Sequence, residues 1–216
     1  MYDMFLLDCY LRSNNVKILE KEMPSLRQIL NGLTAKSNDS ENWLELVRDL
    51  SIPIAIKSPE INFSKRWADN NDIMAIAALE GFVKEIDFMA RALKGGDICL
   101  LLELDGKICA FAWTTFRDYR LSLWHTLHLL PGYSYLVYIF VRPEFQRKGV
   151  GYYLLGSMMA HLRELGCKFL ISGMYANWHI SISLHRKAGF QINKKFIKRR
   201  LLRFLPYPPK EVNVEK

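Results

Sequence analysis

The chain predicts an α/β (α+β) domain, and three observations carry that expectation. Runs of strand composition and runs of helical periodicity alternate along most of its 216 residues. Two β-rich segments, Asp97 to Leu104 and Lys107 to Phe116, are joined by Asp105-Gly106, the strongest short hairpin signal available. The stretch Val141-Arg142-Pro143-Glu144-Phe145-Gln146-Arg147-Lys148-Gly149-Val150-Gly151 reads as a strand end passing through a glycine-punctuated turn into a helix start. Half of the residues are apolar, enough for a sizeable core in one domain with an appendage.

The elements follow in order. In residues 1–58, Pro24 to Asn31 and Ser40 to Leu50 read as two short helices, with Pro24 in a first turn, Gly32 as a stop, and Ser40 capping a helix that carries Trp43, Leu44 and Val47. This segment is expected to be a partly helical N-terminal accessory layer outside the core domain. Ile61 to Trp67 suits a strand, and Asp72 to Leu79 and Val83 to Leu93 show helical spacing, broken by Gly81 and Gly95-Gly96. After the hairpin, Tyr133 to Val141 is an apolar, aromatic-rich strand. Leu154, Leu155, Met158, Met159, Leu162 and Leu165 then recur at helical spacing up to a stop at Gly166. Lys168 to Met174 is strand-like, and Ser181 onward is a further helix. The domain is expected to span 59–206, with 207–216, which opens on Tyr207-Pro208-Pro209, as a poorly ordered tail.

Leu121 to Val141 contains no Asp, Glu, Lys or Arg and is long enough to tempt a membrane-span reading. Pro131-Gly132 breaks the run, His125 and His128 lie within it, and a helix through Val141 would destroy the strand end that the following turn requires, so two sheet-core pieces are expected and no membrane span. The four cysteines, Cys9, Cys99, Cys109 and Cys167, form no Cys-x-x-Cys pair. They read as reduced thiols without a metal framework, which together with an N-terminus lacking a basic region implies a cytoplasmic protein.

The net charge of +8 is concentrated at one end: ten basic and two acidic residues lie between Arg186 and Lys216, which accounts for the whole excess. Three readings remain open there: an edge strand guarded by lysines, attraction of an anionic cofactor, or a nucleic-acid or membrane surface. No recognised RNA-binding signature accompanies the charges, so nucleic acid is not the expected partner.

In the glycine turn, the backbone N–H groups of residues 147 to 151 are expected to point at an anion, and Gly149 and Gly151, lacking Cβ, let it come close. The spacing is neither that of a nucleotide P-loop nor that of a dinucleotide-binding fingerprint. Gln146-x-x-Gly149-x-Gly151, preceded by Val141-Arg142-Pro143, resembles the pyrophosphate-binding signature of the GNAT superfamily of N-acetyltransferases. A second hallmark follows in the family's order, Asn177 and then Ser181-Ile182-Ser183-Leu184-His185-Arg186-Lys187-Ala188-Gly189-Phe190.

The resemblance implies the GNAT fold, a mixed central sheet flanked by helices, and acetyl-CoA as acyl donor with no metal. It implies that Gln146, Arg147, Lys148, Gly149, Val150 and Gly151 hold the pyrophosphate. Backbone groups of Phe140 and Val141 would meet the pantetheine arm, with Asn177 and Ser181 beside it, although Asn177 stands four residues before Ser181 where three is usual. His185 occupies the place of a tyrosine that protonates the leaving thiolate in many members; an exposed or hydrogen-bonded helix histidine is the competing reading. Glu144 is the carboxylate nearest in sequence to the strand end, and Asp118, His125 and His128 are alternative bases. Ser172 or Gly173 stands where members acting on protein α-amines carry a glutamate, so the expected acceptor is a primary amine of a small molecule or amino sugar. A non-catalytic GNAT-fold module binding CoA or nucleic acid is the alternative, and a homodimer stays open.

Overall fold

The computed structural model describes residues 34–36, 42–79, 86–122, 125–201 and 205–213. In chain order the elements are β1 (Thr34–Lys36), β2 (Trp43–Asp49), β3 (Ser64–Trp67), α1 (Ile73–Ala77), α2 (Ile86–Lys94), β4 (Ile98–Leu104), β5 (Lys107–Thr115), β6 (Tyr119–Ser122), β7 (His125–Leu127), β8 (Tyr133–Val141), α3 (Val150–Glu164), β9 (Phe169–Tyr175), α4 (His179–Lys187), β10 (Gln191–Leu201) and β11 (Leu205–Asn213). Nine strands make one sheet in the order β1-β10-β2-β9-β8-β5-β4-β3, with β11 on β10, while β6 and β7 form a separate hairpin. Every neighbour in the large sheet is antiparallel except β8 and β9, so the sheet is mixed.

Local chemistry accounts for the turns. Asp105 and Gly106 have φ of 51° and 72°, the paired left-handed conformation that closes a two-residue hairpin, and they join Leu104 to its partner Lys107. Before α1, Asp69 accepts from a turn N–H while Asp72 returns the favour to the Asp69 backbone, a capping box on the Asn70–Asp72 turn.

Alternation along the strands sorts the core into two layers. On one face Leu44, Leu46, Leu136, Leu170 and Met174 pack with Val150, Leu154, Leu155, Met158 and Leu162 of α3. On the other, Leu101, Phe111 and Trp113 pack against α1 and α2. Farther along that face the β6–β7 hairpin covers Tyr135, Ile171 and Val47.

Two expectations are corrected. Trp43–Asp49 is a strand, not a helix, and it lies inside the sheet between β9 and β10, so the accessory segment expected over 1–58 does not lie wholly outside the core. Leu44 and Leu46 face one layer and Trp43, Glu45 and Val47 the other, but the buried charges of Glu45 and Arg48 disguise that alternation. The expected tail is a strand as far as Asn213, pairing along β10 from Leu205 onward. Its prolines are tolerated because β11 is an edge with one neighbour, and because Pro208 and Pro209 fall where the register slips between Arg199↔Tyr207 and Ile197↔Lys210. The helix expected over Pro24 to Asn31 lies outside the described residues. The apolar run before β8 is interrupted as expected, and no helix among the described residues is long and apolar enough to cross a membrane.

Candidate functional site

β8 and β9 pair in parallel only from Tyr133↔Phe169 to Leu136↔Ser172, although β8 continues to Val141 and β9 to Tyr175. On its other side β8 stays paired with β5 as far as Ala110↔Val141. The register shifts between Trp113↔Tyr138 and Thr114↔Leu136, which leaves Val137 as an extra residue on β8. Such a bulge bends and twists its strand, and here it falls where β8 leaves β9. The strands therefore open into a cleft, with the β9-facing backbone edge of residues 137–141 outside the ladder.

The cleft leads to the glycine turn. Gln146 folds back so that its Nε2 donates to the Val141 carbonyl at 2.9 Å, closing the turn on the strand end. Arg142 is anchored by Nε donating to the Ile108 carbonyl at 2.7 Å. Arg147 and Gly149 take φ of 60° and 79°. For arginine that conformation costs roughly 1–2 kcal/mol, strain of the kind found at ligand clamps. Gly149 is the N-cap of α3 and no side chain caps the helix, so the N–H groups of Val150, Gly151 and Tyr152 lack intrahelical acceptors. Arg147 and Lys148 are exposed on the turn, and Lys187 reaches over the Tyr152 ring at 5.3 Å. Orphan donors, a helix dipole and a cationic rim together make an anion cradle.

The two glycines serve different ends. A Cβ on Gly149 would meet nothing within 4 Å, so the positive φ is what demands glycine there. At Gly151 a Cβ would stand 3.3 Å from Leu184 Cδ2 and 3.6 Å from Val141 Cγ2, so this glycine lets α3 pack closely on α4 and β8.

Asn177 is exposed in the connection after β9, and Ser181 is half-buried in α4. His185 is fully buried. A carbonyl can only accept, so His185 Nδ1 carries the proton that it donates to the Ser181 carbonyl at 2.8 Å, and Nε2 accepts from Ser172 Oγ at 3.0 Å. Burial drives its pKa down to about 4 against the opposing bond to Ser181, so the ring is neutral at pH 7. Phe190 packs edge-on at 4.9 Å. Both nitrogens are engaged within the protein, on the α3 side of the sheet.

Glu144 is solvated on the turn, 3.9 Å from Arg142 Nη1. Asp118 and His128 form an exposed pair at 2.6 Å, and the Leu129 N–H followed by His128 holds the Asp118 carboxyl below the usual range. His125 packs on Phe196 at 4.6 Å, with its Nε2 buried and unpartnered.

Sequence reasoning missed Glu45 and Trp43. Glu45 is 5% exposed and its Oε1 accepts from Asn193 Nδ2 at 2.7 Å. Gly173 lies directly opposite Glu45, and the Trp43 indole fills the space a Gly173 side chain would need. Trp43 Nε1 is buried without a partner. Tyr135 lies nearby: burial first, then Tyr119, Glu45 and Tyr138, push its hydroxyl well above the ordinary value. The signal available was an acidic residue at an alternating position between apolar ones.

The model of the acetyltransferase (GNAT) family matches residues 40–190. Among curated proteins the chain is similar to the L-methionine sulfoximine/L-methionine sulfone acetyltransferase of Pseudomonas paraeruginosa, 26% identical over 49% of this chain and 57% of that protein. It is also similar to the L-amino acid N-acyltransferase MnaT of Escherichia coli, 27% identical over 49% of this chain and 56% of that one. It thus spans little more than half the length of these relatives. Among solved structures, a GCN5-related N-acetyltransferase from Sphaerobacter thermophilus superposes with a TM-score of 0.59 at 13% identity, covering 89% of this chain and 57% of that one. The ribosomal-protein-S18-alanine N-acetyltransferase of Escherichia coli gives 0.50 at 22% identity, over 60% and 78%. At these identities the structures speak for the fold alone. With seven-tenths of its residues inside the family match, the chain belongs to the acetyltransferase (GNAT) family.

Proposed function

We propose that this chain transfers the acetyl group of acetyl-CoA to the primary amine of a small molecule, with amino acids and amino sugars as the first acceptors to try. The observation that carries the reading is the continuity of the β8–β9 cleft with the uncapped start of α3. A thioester on a long arm with a pyrophosphate needs that combination: a slot with free backbone groups, ending at an anion cradle. The curated relatives, named for amino-acid substrates, support a small amine as acceptor.

Acetyl-CoA supplies an acyl carbon activated by its sulfur leaving group. The chain's residues do the rest. The N–H groups of Val150, Gly151 and Tyr152, with Arg147 and Lys148, hold the phosphates, and Gln146 keeps the turn closed on Val141. The strand end at Phe140 and Val141 aligns the arm, with Asn177 and Ser181 across the cleft. His185, neutral and doubly bonded, enters as the tie between α4 and β9, and no proton step is assigned to it or to the solvated Glu144. Cys99, Cys109 and Cys167 are free thiols, which supports a reducing compartment such as the cytoplasm.

The test is a panel of amines incubated with acetyl-CoA, read by release of free thiol and by the mass of the acetylated amine. Amine-dependent thiol release is expected. Tight CoA binding with no release across the panel would replace this reading with a binding module.

A further inference from the structure

We propose that Glu45 receives the acceptor's ammonium group and takes its proton, and that the Trp43 indole N–H beside it donates to an oxygen of the same acceptor. The site is thereby built for a cationic primary amine with a carboxylate or carbonyl close to its nitrogen. This rests on the acyl-transfer reading above.

Glu45 sits on β2 with a strand on either side, nearly closed off from solvent. A carboxylate in such a place normally has a cation; among the described residues its partner is the neutral amide of Asn193. Lys194, opposite Glu45 in the ladder, turns instead to Glu211, Nζ to Oε1 at 3.2 Å. Asn193 is the extra residue where the β10 register shifts between Ile192 and Lys194, so a bulge aims its amide at the carboxylate. The arrangement fixes the orientation of Glu45 with a neutral amide in the place of a cation.

Its position is where an acceptor is needed. The last β8–β9 pair is Leu136↔Ser172, and Glu45 lies opposite the next residue, Gly173, at the apex of the opening. Gly173 contributes no side chain, and the Trp43 indole lies over it with Nε1 buried and unsatisfied. An indole N–H only donates, so the group that completes it is an oxygen. Trp43 stands edge-on to Tyr175 at 5.3 Å, and Tyr119 packs on Tyr135 at 4.9 Å, so aromatic rings, whose faces favour a cation, lie near the carboxylate.

The chemistry balances. An alkyl ammonium with a pKa of about 10.4 is almost wholly protonated at neutral pH and has no lone pair to attack with. One proton passes to the Glu45 carboxylate, the freed lone pair forms the C–N bond with the acyl carbon, and the C–S bond breaks with its electron pair leaving on sulfur. The second N–H proton, made acidic by the new C–N bond, goes to that sulfur, so the products are a neutral amide and the free thiol.

Glu45→Gln keeps the shape and an oxygen for Asn193. With L-methionine as acceptor, kcat is expected to fall about 100-fold or more at pH 7, while the acetyl-CoA Kd from calorimetry stays within about twofold. The deficit should shrink as the pH rises toward about 10, where a growing share of the amine arrives already neutral. Glu45→Asp, which keeps the charge but withdraws it, should lie between. Trp43→Phe should raise KM about tenfold for L-methionine and leave its decarboxylated amine unaffected. Unchanged kcat in Glu45→Gln, a loss equal at every pH, or failure of both Glu45 variants to fold would overturn the proposal. Wild-type protein that acetylates other amines but neither of these two would overturn the acceptor assignment alone. Inactivity across the whole panel brings down the acyl-transfer reading itself.

Discussion

The glycine turn after β8 and the helix α4 carry the chain's two strongest motifs, yet they leave their polar groups in opposite conditions. In the turn, the first N–H groups of α3 are uncapped and the rim is cationic. In α4, the histidine is sealed in the core with a protein partner on each nitrogen. A polar group waiting for a partner marks where a ligand goes; one already satisfied marks what holds the fold. The same test, applied to the opposite face of the sheet, picks out the Trp43 indole N–H among other unsatisfied groups, and it lies on the same strand face as Glu45, a carboxylate held by a neutral amide; no motif flagged either residue.

The largest effect expected from this contrast comes from giving the turn its own anion. In Gly149→Asp the side chain enters open space, and aspartate tolerates a left-handed φ better than most residues. A carboxylate about 4 Å from a phosphate oxygen, at an effective dielectric constant of about 20, repels it by roughly 4 kcal/mol, or about a thousandfold in affinity. Calorimetry with CoA reads that loss, and circular dichroism should report an intact fold. Unchanged affinity would remove the anion cradle from the argument.

Breaking the other side of the comparison should cost stability and not rate. His185→Ala leaves a cavity beside Phe190 and strands the Ser172 hydroxyl, for a loss of about 3 kcal/mol in urea unfolding. The turnover per folded molecule should stay near wild type; a drop in kcat of about 100-fold with stability preserved would return the histidine to the proton-transfer step. The pH dependence has a definite sign. With a folded pKa of about 4 against about 6.5 unfolded, the unfolded chain binds the extra proton between those values. Stability is therefore full above about pH 6.5 and falls toward pH 4, by about 3 kcal/mol from this group. His185→Gln, which does not titrate, should lose that part of the slope.

The contrast also explains what could be read without coordinates. Tyr133–Val141, the hairpin at Asp105-Gly106 and the turn into α3 were legible because each is local: an apolar, aromatic-rich run, two left-handed residues, a helix start. β2 was not. Trp43, Leu44 and Val47 fall at helical spacing, and the partners that make 43–49 a strand lie more than a hundred residues away in β9 and β10. The cleft was legible only through the resemblance, because the parting of β8 from β9 is written in a register shift against a third strand. Glu45 stayed hidden for the same reason: a carboxylate becomes noticeable once its strand is known to be central. The three prolines of β11 read as breakers until the strand is seen to be an edge.

The smallest effect separates the two glycines of the turn, which the motif treats alike. Gly151→Ala keeps every N–H donor and adds no charge, but its methyl must displace Leu184 Cδ2 by a few tenths of an ångström from 3.3 Å. Leucine can give that much at its tip, so the expected cost is about 1 kcal/mol of stability, at the low end of overpacking. CoA affinity should fall by less than about tenfold, since α3 shifts slightly against β8 while the cradle keeps its groups. Trimming the neighbour with Leu184→Ala in the same chain should make the Gly151→Ala step close to neutral, because the two changes share one space and are not additive. A collapse of CoA binding in Gly151→Ala that Leu184→Ala does not relieve would mean that the ligand itself presses on Gly151. The division between a conformational glycine at 149 and a packing glycine at 151 would then have to be given up.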